Sequence, residues 1–138
     1  MRGLTNSTLD SAVLNYLIEK NKQGIIDKYG DISDWDVSRV TNMNSLFSDN
    51  LLYMFVNPRK AREAWGTIEV KDVENFLENF RKFNQPLNKW DVSNVTDMGK
   101  MFSGADSFNQ PLNKWNVSNV KNMNQMFIDA RSFNKPLN

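Results

Sequence analysis

The side chains best placed for chemistry are three aspartates, Asp31, Asp34 and Asp36, close enough in sequence to invite a divalent cation. Their spacing lacks the loop glycine and closing glutamate of an EF-hand, and turn or strand-edge roles compete with metal binding. Two further acids sit in a regular setting. Asp91 and Asp97 each have an asparagine 25 residues later, Asn116 and Asn122. Thr96 likewise becomes Lys121, and Gly99 becomes Asn124. Positions that change between copies read as solvent-facing, which argues against a catalytic carboxylate. The chain has no histidine and no cysteine. That removes imidazole and thiolate ligands, disulfides, and Cys–His or Ser–His–Asp nucleophiles. No catalytic residue, metal site or cofactor is expected, and the chain is read as a non-enzyme.

Binding chemistry has two candidate locations. Asn88, Lys89, Asp91, Asn113, Lys114 and Asn116 recur at matching places, where equivalent side chains would stack into short polar rows of the kind repeat proteins use for binding. The alternative is a solvated face. The second location is Leu51, Tyr53 and Phe55, followed by Arg59 in a basic flank. It reads either as a docking loop with an apolar tip or as packing against neighbouring helices.

The elements that position these residues follow from a repeat. Residues 83–107 and 108–132 share their first eight residues, FNQPLNKW, and a third copy begins FNKPLN at residue 133. An earlier copy spans residues 34–50. Trp65 stands 25 residues before Trp90, so residues 65–82 read as a worn copy, with a helical insertion as the alternative. Residues 51–64 then form a bulge.

Within a copy, Leu87-x-x-Trp90-x-Val92 has the pattern of a leucine-rich-repeat strand. Ser93 is a good N-cap, and Val95, Met98 and Met101/Phe102 recur at helical steps. The expected unit is therefore a strand followed by a short helix ending at Gly104. One unit cannot bury its own apolar face, but a stack can. Trp35, Trp65, Trp90 and Trp115 would form one column, and Phe83, Phe108 and Phe133 another, both as core rather than as a cofactor box.

Residues 1–33 read as a helical cap. Ser7–Asp10 resembles a capping box, an apolar stripe runs over Leu9, Val13, Leu14, Leu17 and Ile18, and Gly24 is a candidate break. At the other end the last coil, with Met123, Met126 and Phe127, would be covered only by the short segment 133–138. That leaves an apolar edge open for a partner or another copy of the chain. The fold class is thus α/β, a single repeat domain over residues 1–138 with the divisions given above.

The motif W-[DN]-V-S-N-V-x-x-M-x-x-M-F followed by S-F-N-x-P-L-N resembles the BspA-like leucine-rich repeat family, also called the DUF285 repeat. It covers residues 34–50 and 83–138 clearly and 65–82 weakly. The resemblance implies a right-handed leucine-rich-repeat-like solenoid without enzyme activity. It also implies a role among adhesins and surface proteins of bacteria, protists or large DNA viruses. Residues 51–64 depart from the family pattern.

A net charge of +1 gives no strong draw to nucleic acid or anionic membrane. The longest apolar run, residues 51–56, is far short of a membrane span. The N-terminus has no secretory h-region, which points to cytoplasmic synthesis. The expected function is a structural or assembly protein that binds protein through its repeat faces and open end, a virion (minor capsid) component among the forms this takes. The alternative is an adhesin-like module displayed at a cell surface as part of a longer chain.

Overall fold

The repeated segments fold into neither of the elements that their patterns suggest. A computed structural model describes residues 3–19, 21–52 and 69–137. Its regular elements are three α-helices, α1 (Asn6–Ile18), α2 (Lys22–Tyr29) and α3 (Val70–Lys82), and 3-10 turns at Ile32–Asp34 and Asp49–Leu52. Among the described residues β-pairing is reduced to the isolated parallel bridges Gly3–Asp36, Asn42–Asp97 and Asp97–Asn122. The expected α/β class is corrected to helix and coil.

We label the repeated coils first (residues 34–50), second (83–107) and third (108–132). In the second coil the N–H groups of Val95, Met101, Ser103 and Ala105 each bond the carbonyl three residues back, at 3.0–3.2 Å. Such turns return a side chain to the same side about every three residues, which mimics a helical stripe. No helix can run through them, because Lys100 lies at φ 55°. Its equivalents Ser45 and Gln125 lie at 61° and 57°. This left-handed region costs a non-glycine residue roughly 1–2 kcal/mol.

The peptides between these turns point out of the coil and join it to its neighbours. Met98, Lys100, Phe102 and Gly104 donate to the carbonyls of Asn122, Asn124, Met126 and Ile128 at 2.8–2.9 Å. Met43, Ser45 and Phe47 donate in the same sense to Asp97, Gly99 and Met101 at 2.8–2.9 Å. The cross-coil ladder therefore occupies the stretch expected to be helix. The stretch expected to be strand is joined mainly by side chains.

These bonds seat the first coil directly on the second. Of the segment read as a worn copy or a helical insertion, residues 69–82 are described, and they do not come between these two coils. Residues 70–82 instead form α3. Trp65 lies outside the described residues, and the stacked pair is Trp35 with Trp90, 6.3 Å apart and 14° from parallel. Helix α3 buries Phe76 and Phe80. Its Asn75 and Asn79 amides donate to Ile18 and Leu17 carbonyls of α1 at 3.4 and 2.6 Å. Those last-turn carbonyls have no partner within their own helix, so α3 serves as the stop for α1.

Helices α1 and α2 occupy the segment read as a helical cap. Helix α1 buries Leu9, Ala12, Val13, Leu14, Leu17 and Ile18. Its start is earlier than Ser7, with Thr8 Oγ1 accepting the Thr5 N–H at 2.8 Å. It ends at Glu19, at φ 61°, while Gly24 lies inside α2 and breaks nothing. The segment leading into α1 lies on the first coil. Leu4 N–H donates to the Asp36 carbonyl at 2.9 Å, and Asn6 Oδ1 accepts the N–H groups of Thr41 and Asn42 at 2.9 and 3.2 Å.

Aromatic columns run through the core. Phe83, Phe108 and Phe133 stack at 6.1 Å steps. Phe47, Phe102 and Phe127 stack at 5.6 and 5.5 Å. These steps exceed the roughly 4.8 Å between strands of a sheet, as a turn-rich coil allows. Each coil's indole N–H donates backwards, Trp115 to the Leu87 carbonyl at 2.8 Å and Trp90 to that of Ile32 at 2.7 Å. No described helix is long and apolar enough to cross a membrane.

Candidate functional site

Asn88 and Asn113 of the proposed polar rows join neighbouring coils. Asn88 is half-buried. Its Oδ1 accepts the Lys114 N–H at 3.1 Å, and its Nδ2 donates to Asn113 Oδ1 at 3.2 Å. Asn84 and Asn109 act alike, each Oδ1 accepting the N–H of the asparagine one coil on at 2.8 Å. Asn94 and Asn119 donate to the Ser38 and Ser93 carbonyls at 2.8 and 2.7 Å. The asparagines that the second and third coils share at these places thus serve as inter-coil rungs.

The charged members of the rows are exposed. Lys89 pairs with Asp34 at 3.4 Å, with 78% and 49% of the side chains exposed, so the pair adds little stability. Lys114 and Asn116 are exposed, and Asn116 Oδ1 accepts the Ser118 N–H at 3.1 Å. Asp91 Oδ1 accepts both the Ser93 hydroxyl, at 2.6 Å, and the Ser93 N–H, at 3.0 Å. These two bonds, the hydroxyl first, hold its carboxyl below the usual carboxylate range. Ser38 does the same for Asp36. Asp34 and Asp36 are thereby engaged in a surface pair and a turn. Among the described residues, no group of three acids, histidines or cysteines is placed to hold a metal ion.

Of the second candidate location, Leu51 is only 5% exposed and belongs to the core, as its packing alternative has it. Tyr53, Phe55 and Arg59 lie outside the described residues. Of the variable positions, Asp91 and Thr96 are exposed, but Asp97 is half-buried and Gly99 is buried. Asp97 Oδ1 accepts the Gly99 N–H at 2.9 Å and amides of Asn44 and Asn122 at 3.2 and 3.1 Å. A Cβ on Gly99 would come within 2.8 Å of Asn122 Nδ2 and 3.0 Å of Asn44 Nδ2. The two flanking coils fill the space that a side chain would need.

Among the described residues, an apolar surface lies on the face that the third coil turns away from the second. Leu112, Trp115, Val117, Met123, Met126, Phe127 and Leu137 line a trough of about 230 Å³ there. Met123, Ile128 and Leu137 are 46%, 45% and 60% exposed. The apolar spacing points to Met123, Met126 and Phe127. Leu112 and Val117 were legible too, since they match Leu87 and Val92 in the preceding coil.

A search of curated proteins and a search of solved structures each return no match. The family model described as "Mycoplasma protein of unknown function, DUF285" matches residues 29–53 and 49–138. That span takes in all three coils and both segments rich in the W-x-V-S pattern, and the chain belongs to the DUF285 family.

Proposed function

We propose that this chain is a non-catalytic structural or assembly protein that binds other proteins, chiefly through the open face of its third coil. The observation that carries the reading is the apolar trough around Trp115, Met123 and Met126, with Met123 and Leu137 left largely in water. Contiguous apolar surface of this kind, rimmed by polar groups, marks interaction sites. Asp36 and Asp91 are committed to turns and Asp97 to a rung, which supports a scaffold rather than a catalyst. The repeating architecture is read as a short right-handed solenoid, and a component of a virion or a comparable particle is one form the role takes.

Cross-linking and native mass spectrometry of the chain in its own cell or particle test this. A specific partner whose cross-links map to residues 112–137 is the expected result. A strictly monomeric chain without partner would overturn it. The exposed row of Lys89, Lys114 and Asn116 favours a second reading, an adhesin-like module that binds along the flank of the coils. Unchanged partner binding after Lys89→Ala and Lys114→Ala would remove that reading and leave the first intact.

A further inference from the structure

The open face carries a row of backbone donors as well as an apolar trough. In the second coil Met98, Lys100, Phe102 and Gly104 donate onward to the third. Their equivalents one repeat later are Met123, Gln125, Phe127 and Asp129. Gln125 and Asp129 keep the positive φ of their counterparts Lys100 and Gly104, at 57° and 58° against 55° and 76°. The four N–H groups therefore sit in the same backbone conformation, and they meet no acceptor among the described residues. Acceptors stand beside them. The Leu87 and Ser93 carbonyls take an indole N–H and an asparagine amide from the next coil, and the Thr96 carbonyl takes the Lys121 N–H. The matching carbonyls are those of Leu112, Ser118 and Lys121. The trough is larger than the roughly 150 Å³ cavity that accepts a benzene ring, so an indole fits it.

We infer that this face docks a coil of the same W-[DN]-V-S-N-V-x-x-M chemistry, carried by a partner protein that leaves the carbonyl side of such a coil uncovered. A second copy of this chain does not qualify. Its own open face repeats the same arrangement of donors and acceptors and lacks the row of carbonyls that Asn122, Asn124, Met126 and Ile128 present to the second coil. Its opposite end is closed, because Leu4 and Asn6 already bond the first coil at Asp36, Thr41 and Asn42. Recognition combines backbone pairing at an edge with pockets for particular side chains, the logic of strand addition. The inference rests on the open face being the binding surface.

Hydrogen exchange on the full chain tests it, with a 25-residue peptide of the sequence of residues 108–132 as probe. Exchange at Met123, Gln125, Phe127 and Asp129 should slow at least tenfold with the peptide. A peptide carrying Trp115→Ala and Asn119→Ala should give no such slowing. To remove the cost of association, the sequence of residues 114–132 fused in register after Asn138 serves as a second probe. No slowing with either probe, or equal slowing with the variant peptide, would overturn the inference. Slowing that depends on chain concentration without any probe would make the occupant a second copy and overturn it as well. A partner that cross-links to residues 112–137 while the four amides stay unprotected would sink this inference and leave the proposed function standing. The absence of any partner would sink the proposed function instead.

Discussion

The second and third coils are nearly the same sequence in two different surroundings. Met98 is fully buried and its equivalent Met123 is 46% exposed. Val92 is 1% exposed and Val117 37%. Phe102 is fully enclosed, touching Phe47, Phe108, Trp115 and Phe127, whereas Phe127 is only partly buried. The backbone conformations agree down to the left-handed residue. Local sequence therefore sets the shape of a coil, and the neighbour on its far side sets how much that coil contributes to stability. This is the expected behaviour of a stacked array, in which each unit is stabilised by its contacts with the next.

Paired substitutions at equivalent positions should expose that difference. The largest effect is expected at the phenylalanine column. Phe102→Ala should cost about 3–5 kcal/mol in urea unfolding, and Phe127→Ala less than half as much. Equal losses would show that the two coils are equally enclosed in solution. Met98→Ala should cost roughly 2–5 kcal/mol, against under about 1 kcal/mol for the exposed Met123→Ala. A bound partner at the open face should raise the second value toward the first, which makes this pair a sensor for docking.

The rungs should give a smaller contrast. Asn84→Ala removes the acceptor for the Asn109 N–H and should cost roughly 0.5–1.5 kcal/mol. Asn134→Ala removes a side chain at the last rung and should change the unfolding midpoint very little. The smallest effect is a pH dependence that separates the first two coils from the third. Asp36 and Asp91 have carboxyls held below the ordinary range by Ser38 and Ser93, whereas the third coil has Asn116 at that place. A depressed folded value means the stabilisation is complete above the unfolded pKa of about 3.9 and lost as pH falls through the folded value. Thermal midpoints should therefore be flat from neutral pH down to about pH 5 and fall below about pH 4 as these acids protonate. Asp91→Asn should flatten the acid limb slightly, and an unchanged limb would show that the Ser93 bonds do not persist in solution.

The repeat, the cap and the aromatic columns were legible because identical residues at a fixed spacing must meet in a stack. The elements within each copy were not. Val95, Met98 and Met101/Phe102 return every three or four residues, and over so short a span a run of turns and a helix give the same stripe. Left-handed Ser45, Lys100 and Gln125 carry no warning in their types, since none is glycine. Trp65 shares the 25-residue spacing, yet Val70–Lys82 became a helix because its Phe76 and Phe80 have α1 and the second coil to pack on. At the candidate site, the repeated asparagines were visible, but a binding row and a set of internal rungs look alike until the partner atoms are known. The open face was readable from Met123 and Phe127. The donor row beneath it was not, because backbone direction leaves no trace in side-chain pattern.

That backbone direction differs from one flank of the stack to another. Along the turns, the N–H groups of Met43, Ser45, Phe47, Met98, Lys100, Phe102 and Gly104 point toward the third coil. Elsewhere those of Thr96, Asn109, Lys114, Lys121, Asn122, Ser132 and Asn134 point back. Each peptide carries a dipole of about 3.5 D, so opposed sets cancel over the molecule while a single flank keeps a local sign. The Met123–Asp129 edge is accordingly electropositive over a short range, and every further coil of the same kind would move that edge outward without changing it.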